Sequence, residues 1–302
     1  MKELENAQGG QIAPEFISGL VESDGCFSLI NESRNGKPYW RPTFYITQKG
    51  EGEPPALLQQ CSNAFGGGQM IEDKRNGCYS LRINSREQLM ERVLPHFHSH
   101  PLLGEKRGDF LLLQQACQLL AGGARGGGEL GALARAMNRM GPRYRQGGYK
   151  RPNPLTVIAP LHPQYVSGLV QGDGSFYFSF LLRPPRARPA FALGQHVFSR
   201  GLLEALQAYF SCGRLYKVGE THWRWAVSSP GELRQRILPH FSRYPLLGEK
   251  GARLQLFSRG CAMMEGGRGR PLLYELVDLL YDSHAGGRHR RRSRLEYLRA
   301  IS

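Results

Sequence analysis

The chain has 302 residues with 40 Lys and Arg against 25 Asp and Glu, a formal charge of +15 and a sequence pI near 9.8. That length accommodates two domains of about 100 to 200 residues, and the basic excess fits a polyanion partner: DNA, RNA or an acidic membrane surface. The basic residues are spread along the chain and no apolar run approaches the ~20 residues of a membrane-spanning helix, which makes nucleic acid the favoured partner.

From the N-terminus, the acidic segment Met1 to Gly10 lacks the apolar core of a secretory signal and the basic amphipathic character of a transit peptide. It reads as part of an N-terminal extension over 1–13. A helix is expected over Pro14 to Ser23, with proline in its first turn and Asp24-Gly25 at its end, where the glycine suits a left-handed cap. Strands are expected over Cys26 to Asn31, Tyr39 to Gln48, Gly68 to Asp73 and Tyr79 to Asn84. The last alternates apolar Leu81 and Ile83 with polar Ser80, Arg82 and Asn84. Helices follow over Arg86 to Leu94, Arg107 to Ala121 and Glu129 to Met140, closing a domain over 14–140. Gly141 to Pro163, rich in Gly, Arg and Pro, reads as an interdomain linker. Strands near Ser175 to Leu182, Ala190 to His196, Gly213 to Val218 and Trp223 to Val227 belong to a second domain over 164–282, followed by a basic tail over 283–302.

The two domains are copies of one unit. ISGLVESDGCF (Ile17 to Phe27) matches VSGLVQGDGSF (Val166 to Phe176), and VLPHFHSHPLLGEK (Val93 to Lys106) matches ILPHFSRYPLLGEK (Ile237 to Lys250). The spacings agree: Asp24 and Asp173 are 149 apart, Gln48 and Gln195 147, Lys106 and Lys250 144. Collinear order with small drifts indicates duplication with loop insertions and deletions. The six cysteines (Cys26, Cys61, Cys78, Cys117, Cys212, Cys261) include no Cys-x-x-Cys pair, which argues against a zinc ribbon or redox motif and for reduced, packed thiols.

A carboxylate at a helix C-terminus faces the negative end of the helix dipole. Two such helices, packed through Ser18 and Gly19 against Ser167 and Gly168, are expected to bring Asp24 and Asp173 close together. Such a pair, with helix-end carbonyls beside it, repels unless a cation is held there. Oxygen-only ligands suit magnesium, and two acids facing a duplex suit hydrolysis of one phosphodiester in each strand.

ISGLVESDG and VSGLVQGDG resemble the paired motifs of the monomeric LAGLIDADG homing endonucleases, and the HF-x-x-x-PLLGEK segments resemble that family's region after the fourth strand. The resemblance covers roughly Pro14 to Asp282. The sequence departs from the family name at Glu22 and Gln171, where that name shows an acid. The resemblance implies an α+β fold of two pseudo-symmetric αββαββα domains, each with a four-stranded antiparallel DNA-binding sheet, packed through the motif helices. It implies Asp24 and Asp173 as metal-binding catalytic acids and Gln48 and Gln195 as water-organising groups. Lys106 and Lys250 become the lysines that polarise the attacking water or the scissile phosphate, with the carbonyls of Ser23 and Gly172 completing metal coordination.

The implied cofactor is Mg2+, with Mn2+ substituting and Ca2+ supporting binding without cleavage. Each sheet is expected to lie as a saddle along the major groove of double-stranded DNA, with alternate residues towards it. Alternation from the motif aspartates puts Ser28, Ile30, Glu32, Arg34, Arg41, Thr43, Tyr45, Gln69, Asp73, Ser80, Arg82 and Asn84 on the first saddle. Tyr177, Ser179, Arg183, Arg188, Arg214, Tyr216, Arg224 and Ser228 fall on the second, so the target is expected to be asymmetric.

His96, His98 and His100 resemble a metal cluster, but only His96 has a repeated partner, His240, and a packed structural role suits both better. Tyr39, Trp40, Trp223 and Trp225 could stack bases, although aromatics on strands more often pack. The run Arg288 to Arg294 suggests non-specific phosphate contacts. The expected product is a metal-dependent double-strand break with short 3′ overhangs, made by a monomer with no membrane association. The competing readings are an intron RNA maturase on the same fold and a non-catalytic DNA-binding regulator; paired carboxylates facing phosphate favour the nuclease. An organelle setting follows from the resemblance alone.

Overall fold

The computed structural model describes residues 11–34, 36–124, 127–138, 160–182, 185–266, 269–282 and 293–301. Two compact units divide the chain, Met1–Gly172 with Phe198–Leu202 and Asp173–Val197 with Leu203–Ser302.

In the first unit, α1 (Pro14–Asp24) runs straight into β1 (Gly25–Arg34), followed by β2 (Lys37–Lys49), α2 (Ala56–Ala64), β3 (Gln69–Asp73) and β4 (Cys78–Ile83). A composite helix α3 (86–99) then leads to α4 (Lys106–Ala121) and α5 (Gly127–Asn138). The strands form one antiparallel sheet ordered β1-β2-β4-β3. Alternation sends Phe27, Leu29, Phe44, Ile46, Leu81 and Ile83 to one face, where all are buried beneath the helices. Phe27 stacks on Phe44 with ring centroids 5.1 Å apart, and Phe97 of α3 meets Phe44 edge-on at 5.6 Å. Each ring fully withdrawn from water contributes roughly 1.5–3 kcal/mol, which makes this cluster a principal anchor of the sheet.

The second motif helix α6 (Pro163–Asp173) packs, over residues 163–172, within this first unit. Ser18 and Ser167 are fully buried. The contact is glycine-dependent: a Cβ on Gly19 would stand 2.1 Å from the Tyr165 carbonyl oxygen, and one on Gly168 would stand 2.0 Å from that of Phe16.

The second unit holds β5 (Gly174–Leu182), β6 (Pro185–His196), β7 (Arg214–Val218) and β8 (His222–Val227), paired antiparallel as β5-β6-β8-β7. Helix α7 (Arg200–Phe210) precedes β7, and α8 (230–243), α9 (Gly248–Gly266), α10 (Gly269–Asp282) and α11 (Arg294–Ile301) follow β8. Phe176 stacks on Phe191 at 4.6 Å, and the fully buried Trp225 donates its indole N–H to the Cys212 carbonyl at 3.0 Å. The same sheet order recurs in both units, as duplication requires.

Three differences from the expected elements have physical causes. Gly25 is extended (φ −82°, ψ 159°) rather than left-handed, because the chain enters β1 with no turn; glycine is needed there since a Cβ would lie 2.4 Å from Val21 Cγ1. In both repeats a π turn (Leu89–Val93, Leu233–Ile237) precedes the proline of α3 and α8, where Pro95 and Pro239 remove a helix donor and crowd the carbonyl four residues back. Strand β6 begins at Pro185, earlier than expected. Pro189 is tolerated because β8 pairs only from Phe191 onward, which leaves that stretch of β6 with one neighbour.

No helix among the described residues is long and apolar enough to cross a membrane. The six cysteines are free thiols, three of them buried. The proposed linker 141–163 lies outside the described residues up to 159, as do residues 1–10 of the N-terminal extension, most of the basic tail and the run 288–292.

Candidate active site

In the first unit, Asp24 is the last residue of α1 and stands half-buried at the foot of the sheet. Gly25 pairs with Ile46, so Gln48, two residues further along β2, comes level with the helix end. Its Nε2 donates to Asp24 Oδ2 at 2.6 Å. Lys106 opens α4 and donates from Nζ to the carbonyls of Ser23 (2.7 Å) and Gly25 (2.5 Å). An ammonium on these carbonyls offsets both the negative helix end and the adjacent carboxylate.

The second unit repeats the arrangement. Gly174 pairs with Leu193, and Gln195, again two residues on, donates from Nε2 to Asp173 Oδ2 at 2.6 Å. Lys250 donates from Nζ to the Gly174 carbonyl at 2.9 Å. Each unit therefore contains an acid, an amide oriented on it, and a lysine on the carbonyl that follows the acid. Gly172 lies against the end of α1, where a Cβ would be 2.7 Å from Asp24 Oδ2.

The donors here are carboxylate and backbone carbonyl oxygens, which suit a hard divalent cation that retains several waters. Among the described residues no group of three or more His, Cys, Asp or Glu is arranged to hold a metal ion. The Ser23 carbonyl accepts from Lys106 Nζ at 2.7 Å, and a backbone carbonyl oxygen has a second lone pair with which to meet a cation.

Cross-strand register places the expected DNA-contact residues on one face of each sheet, opposite the core. In the first, Ser28 pairs with Thr43, Ile30 with Arg41, Tyr45 with Arg82, Gln69 with Arg82, and Asp73 with Cys78. Glu32 forms an ion pair with Arg41, and Ser80 shares a 2.7 Å hydroxyl contact with Thr47. Asn84 follows the last residue of β4. In the second, Tyr177 pairs with Ala190, Ser179 with Arg188, Tyr216 with Arg224, and Arg214 with Ala226, while exposed Ser228 lies just beyond β8.

Thr43 is the exception. It is only 1 % exposed, and its hydroxyl lies 3.5 Å from the Arg41 carbonyl of its own strand, so it packs rather than presents a contact. The Arg34 side chain and Arg183 lie outside the described residues.

The sequence reading missed Thr47, Lys49, Arg186, His196 and His222, which register puts on the same two faces. Thr47 and His196 already lie within the expected strands, where the alternation reaches them, and extending it to the true strand ends finds Lys49, Arg186 and His222. The faces differ in charge: the first mixes Arg41, Lys49 and Arg82 with Glu32 and Asp73, whereas the second, among the described residues, carries Arg186, Arg188, Arg214 and Arg224 without an acid.

His96 and His240 are packed. His96 lies edge-on to Phe65 and Phe97 with Nε2 3.2 Å from Ser18 Oγ, and His240 has Nδ1 3.2 Å from the Tyr209 hydroxyl. Burial lowers both rings to a pKa of about 4. Trp225 and Trp40 are core residues, while Tyr39 is exposed on the sheet face opposite the core.

Two sheets with basic faces, each ending beside an acid, an amide and a lysine, define a duplicated nuclease scaffold. The LAGLIDADG endonuclease family model matches residues 17–117 and 166–260, and the chain belongs to that family. It is 25% identical over 250 residues to "Probable intron-encoded DNA endonuclease 1" of Mycosarcoma maydis, covering 75% of this chain and 91% of that protein. It is also 25% identical over 262 residues to "Probable intron-encoded endonuclease 3" of Neurospora crassa, spanning 80% of this chain but about half (48%) of that longer protein. Among solved structures, I-LtrWI bound to target DNA superposes with a TM-score of 0.78 at 21% identity, covering 89% of this chain and 95% of that one. I-SmaMI bound to an uncleaved DNA target in the presence of calcium ions gives 0.75 at 21%, covering 96% and 97%. The fold is thus that of the two-repeat enzymes, and the family is metal-dependent.

Proposed function

We propose that the chain is a site-specific homing endonuclease that hydrolyses one phosphodiester in each strand of a long, asymmetric double-stranded DNA target, leaving short 3′ overhangs. The supporting observation is the repeated geometry: an amide N–H 2.6 Å from a motif carboxylate in each unit, with a lysine on the neighbouring carbonyl. A pure binding protein gains nothing from duplicated acids facing phosphate, whereas a hydrolase acting on two strands needs one such set for each.

Asp24, Asp173 and the carbonyls of Ser23 and Gly172 would hold magnesium, with manganese substituting and calcium supporting binding alone. That ion supplies Lewis-acid stabilisation of charge on the scissile phosphate and a more acidic water. Gln48 and Gln195 fix their carboxylates and retain an amide N–H and a carbonyl with which to orient that water. Lys106 and Lys250 place positive charge where the phosphate becomes more negative. The sheet faces track the major groove: Arg41, Arg82, Arg188, Arg214 and Arg224 contact phosphates or guanines, while Ser28, Ile30, Glu32, Tyr45, Gln69, Asp73, Ser80, Asn84, Tyr177, Ser179, Tyr216 and Ser228 complete the reading surface.

The domains are taken as 14–140 and 164–282, and the enzyme as a monomer. Relatives named as intron-encoded support an intron-encoded origin, and a relative named for an ND4 intron supports an organelle setting. Selection of cleaved sites from a randomised duplex library in magnesium tests the reading. Recovery of one long asymmetric site cut on both strands is expected, and recovery of uncut duplex alone would overturn it.

A further inference from the structure

The backbone that carries Lys106 is fastened by groups with no part in the chemistry above. Glu22 of α1 is buried (2 % exposed), and its Oε2 accepts from the N–H groups of Leu103 (3.1 Å) and Gly104 (3.0 Å), while Oε1 accepts from that of Lys106 (3.4 Å). The Tyr165 hydroxyl donates to Glu22 Oε2 at 3.0 Å and accepts from Leu103 N–H at 3.2 Å. Ser199, 1 % exposed, accepts from Glu105 N–H at 2.9 Å. The fit is tight, since a Cβ on Gly104 would lie 2.3 Å from Glu22 Oε1 and 2.9 Å from Ser199 Oγ. Four successive amides leading into α4 are thus satisfied by side chains.

Two of these three groups come from the second repeat. Tyr165 stands in its motif helix, and Ser199 lies four residues after Gln195. The matching positions run differently: Phe16 stands where Tyr165 would have its counterpart, and Gln171 where Glu22 would. Phenylalanine offers no hydroxyl, and glutamine presents a neutral amide in place of the carboxylate.

On the reading of the chain as a two-strand nuclease, we propose that Tyr165 and Ser199, with Glu22, are positioning residues that fix Lys106 at the first half-site. The brace acts on the backbone that carries Lys106, so its loss slows one strand's hydrolysis without slowing the other's. Misplacement of a reacting group by about 1 Å costs on the order of a hundredfold, so the loosened strand is expected to be cut at least about tenfold more slowly.

The first test needs no DNA. Amide hydrogen exchange of the full chain is expected to quicken at residues 103–106 in Tyr165→Phe and Ser199→Ala while residues 248–251 keep their protection; unchanged exchange at 103–106 overturns the brace. The second uses the duplex recovered from the randomised library, labelled on each strand in turn, in magnesium. Both variants are expected to cut one strand at the wild-type rate and the other at least about tenfold more slowly, so that nicked duplex accumulates. General destabilisation would slow both strands alike; an equal loss, or none, refutes the proposal. A wild-type chain that cuts neither strand would instead sink the nuclease reading, leaving the exchange result to decide the brace.

Discussion

Gly19 lies against the carbonyl oxygen of Tyr165 so closely that a Cβ would stand 2.1 Å from it, and Gly168 meets Phe16 in the same way at 2.0 Å. Backbone opposes backbone at both points, so neither partner can swing aside. Gly19→Ala and Gly168→Ala are each expected to lower unfolding stability by about 1–3 kcal/mol or more. Urea denaturation midpoints that match the wild type would contradict this packing.

Acid should weaken the fold through the two packed histidines. His96 and His240 have pKa values lowered from 6.5 to about 4 by burial, so the unfolded chain binds more protons than the folded one between those values. Stability is therefore fully present above about pH 6.5 and declines as pH falls towards 4, by at most on the order of 3 kcal/mol per ring. A His240→Gln variant should show a shallower decline in denaturant midpoint over that window; an unaltered slope would remove the assignment.

The charge difference between the sheet faces has a measurable counterpart. Arg188, Arg214 and Arg224 lie on a face without acids, whereas Glu32 pairs with Arg41 on the other. Affinity for duplex DNA should fall steeply with salt, by a log–log slope of about 0.9 per neutralised phosphate. Replacing a phosphate-contacting arginine such as Arg214 by alanine should reduce that slope by about one. A salt-insensitive affinity would argue against a duplex on these faces.

Gln195 is buried and donates to Asp173 Oδ2 at 2.6 Å. Gln195→Glu sets a second carboxylate against the first, and like charges at that distance raise the affinity of the pair for a proton. Cleavage of one strand should then drop about tenfold or more at pH 7 while binding persists, as strand-resolved kinetics would show. Equal rates on both strands would count against separate half-sites.

Much of this architecture is written in local pattern. The acids, amides and lysines recur at nearly constant spacing, and period-two alternation around Leu81 and Ile83 fixed which sheet face holds the core. What escaped depends on tertiary pairing. Arg186 was missed because the strand was expected only from Ala190, whereas β6 begins at Pro185 and pairs there with β5 alone. Gly25 was read as a left-handed cap because Asp-Gly usually turns, whereas the helix passes directly into a strand. Thr43 follows the alternation faithfully yet is buried, since parity fixes a face and not an exposure. The bracing of Lys106 by Tyr165 and Ser199 joins residues far apart in sequence, and no spacing within either repeat announces it.

The central claim is that the motif acids act on phosphate and are not merely helix ends. Cleavage of the library-selected duplex by Asp24→Asn in magnesium, with its affinity for the same duplex measured in calcium, tests this most directly. Double-strand cutting should fall at least about a hundredfold, the order lost when a transition-state-stabilising group is removed, while affinity stays within about threefold. Undiminished cleavage by that variant would contradict the account.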